Sequence, residues 1–258
     1  MRYVAVGDSF TEGVGDELPG GAVRGWADLV AGGLAAAGGE AVEYANLAVR
    51  GRLLEPIATE QVPAALALDP PPTLLTFNGG GNDVMRPGVA PDRLLELTER
   101  AVRLVVAAGV RPVLVSGAAP SARLPFGRTL RRRAALLTGG LAELAARHGV
   151  TFVDAFADAE LRRGAYWAAD RLHLGPAGHR RVASLVLAAL GHDVAAAAVD
   201  PAPEAPRRAL AEARYYREHV LPWMGRHLRG RSSGDLRTGK HLSWVPVAPV
   251  PAGAAPLS

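Results

Sequence analysis

Ser9, Asp170 and His173 are the residues whose types and spacing could do chemistry in this sequence of 258 residues. Ser9 follows a short apolar strand predicted at the N-terminus, and open α/β sheets bind their ligands at the carboxyl ends of such strands. A serine hydroxyl becomes a nucleophile when a base takes its proton and a third group orients that base. Asp170 and His173 lie three residues apart, so one turn could bring the carboxylate to imidazole Nδ1 and leave Nε2 for Ser9. The sequence therefore predicts a nucleophilic serine.

The Asp170–His173 pair has a second interpretation, a surface turn in which the aspartate only caps the backbone. Among the seven histidines, His173 is preferred because it alone lies in a loop near a strand end with a carboxylate at a short, fixed spacing. His179, in the helix predicted to follow, is expected to have a packing role. The pair by itself leaves both interpretations open.

Three donors could stabilise the oxyanion of a tetrahedral intermediate: the backbone N–H groups of Ser9 and Gly51 and the side-chain amide of Asn82. Gly51 has no side chain, so a substrate could approach its N–H closely. Asn82 follows Gly79–Gly81, which could also be turn residues only. A phosphate-binding loop is disfavoured because no Lys-Ser/Thr pair follows these glycines, and the N-terminal glycines do not form a dinucleotide-binding motif.

Short apolar strands alternate with helical segments along the first three-quarters of the chain. Strands are predicted at the N-terminus and over residues 42–47, 73–77, 112–115 and 150–153. Helices are predicted over residues 26–37, 54–68, 91–108, 129–148 and 176–190. This alternation with right-handed crossovers indicates a flavodoxin-like, three-layer α/β/α sandwich around a five-stranded parallel sheet.

The composition changes after Gly191, which divides the chain into a domain of residues 1–191 and a C-terminal extension of residues 192–258. The extension begins with a proline-rich linker, continues as one helix predicted over residues 207–220 and ends in a stretch rich in proline, arginine and glycine. It has too few apolar residues to build its own core. We therefore expect it either to dock on the main domain or to stay disordered.

Composition and charge argue against several classes of partner. The net charge is only +4, and the densest basic cluster, residues 128–133, lacks the interleaved aromatics of a nucleic-acid site. With no cysteine, and no histidines at ligand spacing beside a carboxylate, we expect neither a metal nor another cofactor. No apolar run reaches the roughly 18 residues of a membrane span, and no signal segment precedes the first strand. These features predict a cytoplasmic protein, and nothing indicates its oligomeric state.

Four segments together resemble the SGNH hydrolases, also called GDSL esterases/lipases. They are Gly7–Gly13, Asn46–Gly51, Gly80–Asp83 and Asp170–His173, and they occur in the order that the family has. Phe10 stands where the family name has leucine, a variation that touches no catalytic role. The resemblance implies a flavodoxin-like fold and hydrolysis of esters through an acyl-enzyme, without a metal.

The resemblance also implies a role for each matched residue. Ser9 would be the nucleophile, His173 the general base and then acid, and Asp170 the group that orients His173. The N–H groups of Ser9 and Gly51 and the Asn82 amide would hold the oxyanion. Supporting positions are expected at Asp8, which would brace the first turn, and at Gly81 and Asp83 beside Asn82.

The sequence thus predicts a serine ester hydrolase that acts on a small or short-chain acyl ester. The absence of an amphipathic lid favours short chains over long lipids. Chain preference is expected to depend on the loops at residues 16–24, 86–90 and 116–127. Two alternatives stay open: an acyltransferase or specialised deacetylase with the same site, and a non-catalytic binding module on the same fold.

Overall fold

A six-stranded sheet forms the centre of the protein. The computed structural model describes residues 1–119, 127–192, 234 and 236–249. The strands are β1 (Arg2–Val6), β2 (Val42–Asn46), β3 (Leu74–Phe77), β4 (Arg111–Val115), β5 (Thr151–Val153) and β6 (His241–Val247). Their order across the sheet is β5-β4-β3-β1-β2-β6. The first five strands are parallel, and β6 pairs antiparallel with β2.

The position of β1 between β2 and β3 determines where a site can form. Val4 pairs with Ala45 on one side and with Leu75 on the other. The chain moves from β1 to β2 and then crosses to β3 on the other side, so the strand order reverses at β1. Open α/β sheets bind ligands at such a switch point, beyond the carboxyl ends of the strands. Ser9 follows β1 at this end of the sheet.

Helices cover both faces of the sheet. They are α1 (Ser9–Glu12), α2 (Trp26–Gly38), α3 (Leu54–Pro56), α4 (Val62–Leu66), α5 (Gly81–Val84), α6 (Pro91–Ala107), α7 (Gly127–His148) and α8 (Pro176–Ala189). Side chains of α2 and α8 pack in one apolar cluster with one face of the sheet. Side chains of α3, α4, α6 and α7 pack in a second cluster with the other face. Because both faces are covered, the inner strands are almost continuously apolar.

The predicted three-layer α/β/α fold is confirmed, but the predicted number of strands is wrong. Residues 241–247, which we assigned to an irregular extension, form the sixth strand along the free edge of β2. This strand contains Pro246, and proline is tolerated in edge strands because it has no N–H to donate to a neighbour. The boundary at residue 191 stays a prediction, and the helix predicted over residues 207–220 lies outside the described residues. None of the described helices is long and apolar enough to cross a membrane.

The single helix predicted over residues 54–68 is interrupted by a π-helical turn. The turn spans Ile57–Gln61 and separates α3 from α4. A π turn accommodates an extra residue, and such turns are frequent at functional sites. The Gln61 side chain accepts the Gly7 N–H at 2.8 Å and donates to the Gly7 carbonyl at 3.0 Å. The interrupted helix therefore fixes the backbone two residues before Ser9.

Leu144 of α7 provides a test of the second apolar cluster. Its side chain is 0% exposed, whereas Leu136 on the same helix is 58% exposed. We expect Leu144→Ala to lower the free energy of unfolding by about 2–5 kcal/mol, because the truncation removes apolar contacts and leaves a cavity. Leu136→Ala, the matched control, should change it by about 0.5 kcal/mol or less. Urea unfolding measures both, and equal losses would contradict this packing.

Candidate active site

The turn from β1 into α1 places Ser9 at the centre of the site. Asp8 caps α1, and its Oδ1 accepts the Phe10 N–H at 3.0 Å. A Cβ atom on Gly7 would lie 2.4 Å from Thr11 Oγ1 and 3.0 Å from the Asn78 carbonyl oxygen, so only glycine fits there. Ser9 is the first residue of α1, where the N–H groups of a helix have no partner within the helix. The close packing at Gly7 and the Asp8 cap hold this turn in place.

Ser9, His173 and Asp170 form a continuous chain of contacts in the structure. Ser9 Oγ lies 3.1 Å from His173 Nε2, and His173 Nδ1 lies 2.6 Å from Asp170 Oδ2. Asp170 Oδ1 also accepts the backbone N–H groups of Leu172 and His173, both at 3.0 Å. Residues that are 164 positions apart in the sequence are thereby brought within hydrogen-bond distance.

The charge of Asp170 determines the direction of these hydrogen bonds. Burial raises the pKa of Asp170, but the hydrogen bond and charge of His173 and the two backbone N–H groups outweigh it, and the pKa falls below its usual value. Asp170 is therefore ionised and can only accept, so the shared proton belongs to His173 Nδ1. His173 Nε2 is then free to accept the Ser9 hydroxyl proton.

The Asn82 amide connects the loops after β1, β2 and β3. Its Nδ2 donates to Asp8 Oδ2 at 3.1 Å and to the Arg52 carbonyl at 2.9 Å. An amide nitrogen carries two hydrogens, so both N–H donors of the Asn82 side chain, which we predicted to bind an oxyanion, already have partners in the structure. By contrast, within the described ranges the N–H groups of Ser9 and Gly51 donate to no other residue. Gly51 adopts φ +75°, a left-handed conformation that favours glycine.

The three supporting residues lie around this junction. A Cβ atom on Gly81 would lie 3.7 Å from Asp8 Oδ2. Asp83 Oδ2 accepts the Leu54 N–H at 2.9 Å, which connects α5 to the beginning of α3. Burial raises the pKa of Asp83 above its usual value, against the hydrogen bond from Leu54. Burial also raises the pKa of Asp8 to about 6, although the Phe10 N–H and the charge of His173 oppose this shift.

A cleft of about 140 Å³ opens beside these residues. Ser9, Asn82 and His173 line it. The helix α7 also lines it, with the apolar side chains of Leu130, Ala134, Leu137 and Leu141. Of the three loops that we expected to control chain preference, only the third contributes described residues, at positions 117 and 118. The contribution of α7 had no signal in the sequence beyond the apolar spacing of an ordinary core helix.

Sequence reasoning missed an ion pair that joins α1 to the loop before Gly51. The Glu12 carboxylate is mostly buried and accepts the Arg50 N–H at 2.6 Å and the Arg50 Nε–H at 2.9 Å. Arg50 directly precedes Gly51.

Among the described residues, no group of three or more histidine, cysteine, aspartate or glutamate side chains could hold a metal ion.

His179 belongs to α8 and is fully buried against the loop that follows α1. Its Nδ1 accepts the Trp26 N–H, and its Nε2–H donates to the Val14 carbonyl, both at 3.2 Å. Both nitrogens are satisfied only in the neutral ring. Burial lowers the pKa of His179 from 6.5 to about 4, although the Val14 carbonyl opposes this shift.

His179 should make the stability of the protein depend on pH. Below pH 6.5 the unfolded chain binds a proton that the folded protein binds only near pH 4, so the folded state loses stability as the pH falls through this window. The loss expected from this residue is about 3 kcal/mol. His179→Gln, which does not titrate, should lose correspondingly less between pH 7 and pH 4 in urea unfolding. Parallel pH profiles of the two proteins would contradict the burial of a neutral imidazole.

Comparisons with known proteins identify the family of this chain. The family model of the GDSL-like lipase/acylhydrolase family matches residues 5–181. No curated protein matches the chain significantly. An acetylxylan esterase of Geobacillus stearothermophilus, Axe2, shares 21% identity with a TM-score of 0.63, covering 74% of this chain and 94% of its own.

Two further solved structures have the same fold. LAE5, an α/β hydrolase enzyme from the metagenome of Lake Arreo, shares 23% identity with a TM-score of 0.61, covering 74% of this chain and 94% of its own. The psychrotrophic esterase EstA of Pseudoalteromonas sp. shares 16% identity with a TM-score of 0.58, covering 74% of this chain and 96% of its own. The family match spans well over half of the chain and includes Ser9 and His173. The protein therefore belongs to the GDSL-like lipase/acylhydrolase family and is a serine esterase of the SGNH/GDSL type.

Proposed function

We propose that the protein hydrolyses a small or short-chain acyl ester through an acyl-enzyme on Ser9. The observation that carries this proposal is the chain of contacts from Ser9 Oγ through His173 to Asp170, at 3.1 and 2.6 Å. This arrangement supplies a nucleophile, a base with a free Nε2 and a carboxylate that orients the base. It fits catalysis better than a binding module, which has no need of a base beside the serine hydroxyl.

In the first half of the reaction, Ser9 Oγ attacks the ester carbonyl carbon while His173 Nε2 takes the hydroxyl proton. Asp170 stabilises the imidazolium that forms. The tetrahedral intermediate then collapses, the bond between the carbonyl carbon and the alcohol oxygen breaks, and His173 returns the proton to the leaving alcohol. The acyl group remains on Ser9.

In the second half, water takes the place of the alcohol. His173 accepts a proton from the water as its oxygen attacks the acyl-enzyme, and then gives this proton to Ser9 Oγ as the carboxylic acid leaves. The same imidazole thus acts first as base and then as acid in each half.

The oxyanion of both intermediates would bind at the N–H groups of Ser9 and Gly51, which are free of other described partners. The Asn82 amide is the third donor in our proposal. For it to reach the oxyanion, its hydrogen bond to Asp8 or to Arg52 must be shared or broken. Asn82 therefore has two tasks, because the same amide also holds the surrounding loops together.

Two observations support a small acyl group. The cleft beside Ser9, as the described residues bound it, has a volume of about 140 Å³. A protein of the same fold is named as an acetylxylan esterase. We expect kcat/KM to be higher for p-nitrophenyl butanoate than for the dodecanoate. A rate that rises steadily up to the dodecanoate would contradict the short-chain assignment.

Replacing Ser9 tests the nucleophile. We expect Ser9→Ala to lower kcat for p-nitrophenyl acetate by at least about 10⁴-fold and to abolish covalent labelling by a fluorophosphonate, because both reactions need Ser9 Oγ. Asp170→Asn should lower kcat by about 10⁴-fold, because it favours the wrong imidazole tautomer.

Ser184→Ala is the matched control for the serine variant, since the Ser184 hydroxyl donates only to the Arg180 carbonyl within α8. It should keep wild-type turnover and labelling. If turnover and labelling in Ser9→Ala equal those of the wild type, Ser9 is not the nucleophile.

A further inference from the structure

Lys240, the only lysine of the chain, reaches from the C-terminal extension into the main domain. Its Nζ lies 2.7 Å from the Glu12 carbonyl, 3.1 Å from the Val23 carbonyl and 2.5 Å from Asp28 Oδ2. The side chain is only 17% exposed. An ammonium group has three N–H donors, and here each one has an acceptor. So complete a set of partners indicates a fixed position rather than a solvated surface charge.

The first of these partners belongs to the nucleophile helix. Glu12 is the last residue of α1, which begins at Ser9, and the carbonyl groups at the end of a helix need partners from outside it. The Glu12 carboxylate meanwhile binds the Arg50 N–H at 2.6 Å and the Arg50 guanidinium. Gly51 comes next in the chain. One residue, Glu12, therefore connects Lys240 both to Ser9 and to the loop that presents the Gly51 N–H.

The backbone of the extension lies against the same loop. A Cβ atom on Gly239 would lie 2.6 Å from Leu47 Cα and 2.7 Å from the Asn46 carbonyl oxygen. A Cβ atom on Gly234 would lie 1.9 Å from the Arg50 carbonyl oxygen. Neither position has room for a side chain. The extension thus contacts the loop between β2 and α3 directly, in addition to pairing β6 with β2.

We propose that Gly234 and the segment 236–247 are part of the catalytic unit and that Lys240 is a positioning residue, which acts through Glu12 to hold α1 and the Gly51 loop in a fixed relative position. The segment lies beyond the family match, which ends at residue 181. The inference rests on the proposed function, because the relative position of Ser9 and Gly51 matters only if both residues bind one tetrahedral intermediate. Small displacements of such groups lower the rate of the chemical step more than substrate binding.

The test uses the full chain with Lys240→Met, Lys240→Arg and the control Arg237→Met, an exposed residue of the same segment. Rates with p-nitrophenyl acetate are measured well below the melting temperature of each variant. We expect Lys240→Met to lower kcat by about 10- to 100-fold with KM within about twofold of wild type. Lys240→Arg, which keeps charge and donors, should recover part of kcat, and Arg237→Met should match wild type. Lys240→Gln replaces the methionine variant if that protein does not fold.

A double variant tests the route through Glu12. If Lys240 acts by way of the Glu12–Arg50 ion pair, Lys240→Met combined with Arg50→Met should lose no more kcat than the more damaging single change. Losses that multiply would overturn this route.

An unchanged kcat in Lys240→Met with a lower melting temperature would overturn the positioning role and leave only packing. These failures are distinct from failure of the proposed function. Persistent turnover in Ser9→Ala rejects the nucleophile, whereas loss of turnover in Ser9→Ala with a normal kcat in Lys240→Met rejects the positioning role alone.

Discussion

Parallel pairing of β1 with both β2 and β3 is the constraint on which the site depends. Because the three strands point the same way, the loops that follow them emerge at one edge of the sheet and bring Ser9, Gly51 and Asn82 into one neighbourhood. The Asn82 amide then joins the three loops through Asp8 and the Arg52 carbonyl. Only His173 and Asp170 come from elsewhere, on the segment that leads into α8. The strand topology thus places the residues of the site, and a few buried hydrogen bonds orient their side chains.

The two aspartates nearest Ser9 show how environment separates similar groups. Both are largely withdrawn from water, yet the pKa of Asp8 is raised to about 6, whereas that of Asp170 is lowered. The two groups differ both in burial and in donors: Asp8 is buried whereas Asp170 is partly exposed, and Asp170 faces an imidazole and two N–H groups that outweigh its desolvation. Asp8 accepts hydrogen bonds from one backbone N–H and from the neutral Asn82 amide, and these do not outweigh the desolvation of its carboxylate. The carboxylate that must stay charged beside His173 is therefore the one with the stronger donors.

Much of the fold and the proximity of Ser9, His173 and Asp170 could be predicted from sequence, because buried parallel strands and short motifs are local patterns. The features that were missed depend on distant contacts. Gln61 reaches Gly7 only because a π turn intervenes, and nothing in its neighbours signals that turn. The strand β6 contains a proline and follows a stretch with few apolar residues, so no local sequence pattern predicts its pairing with β2. The environment of Lys240 comes from three separate segments of the chain.

The added strand β6 also changes what the sheet offers to other molecules. Without it, β2 would end the sheet with a row of open N–H and carbonyl groups, the template on which chains associate edge to edge. β6 occupies that row and replaces it with an edge that contains Pro246, and the pairing of the two strands shifts register between Tyr44 and Asn46. Proline offers no N–H, and an irregular strand is a poor template for a further one. The segment that contacts the active-site loop therefore also occupies the β2 edge, so that no further strand can pair with it there.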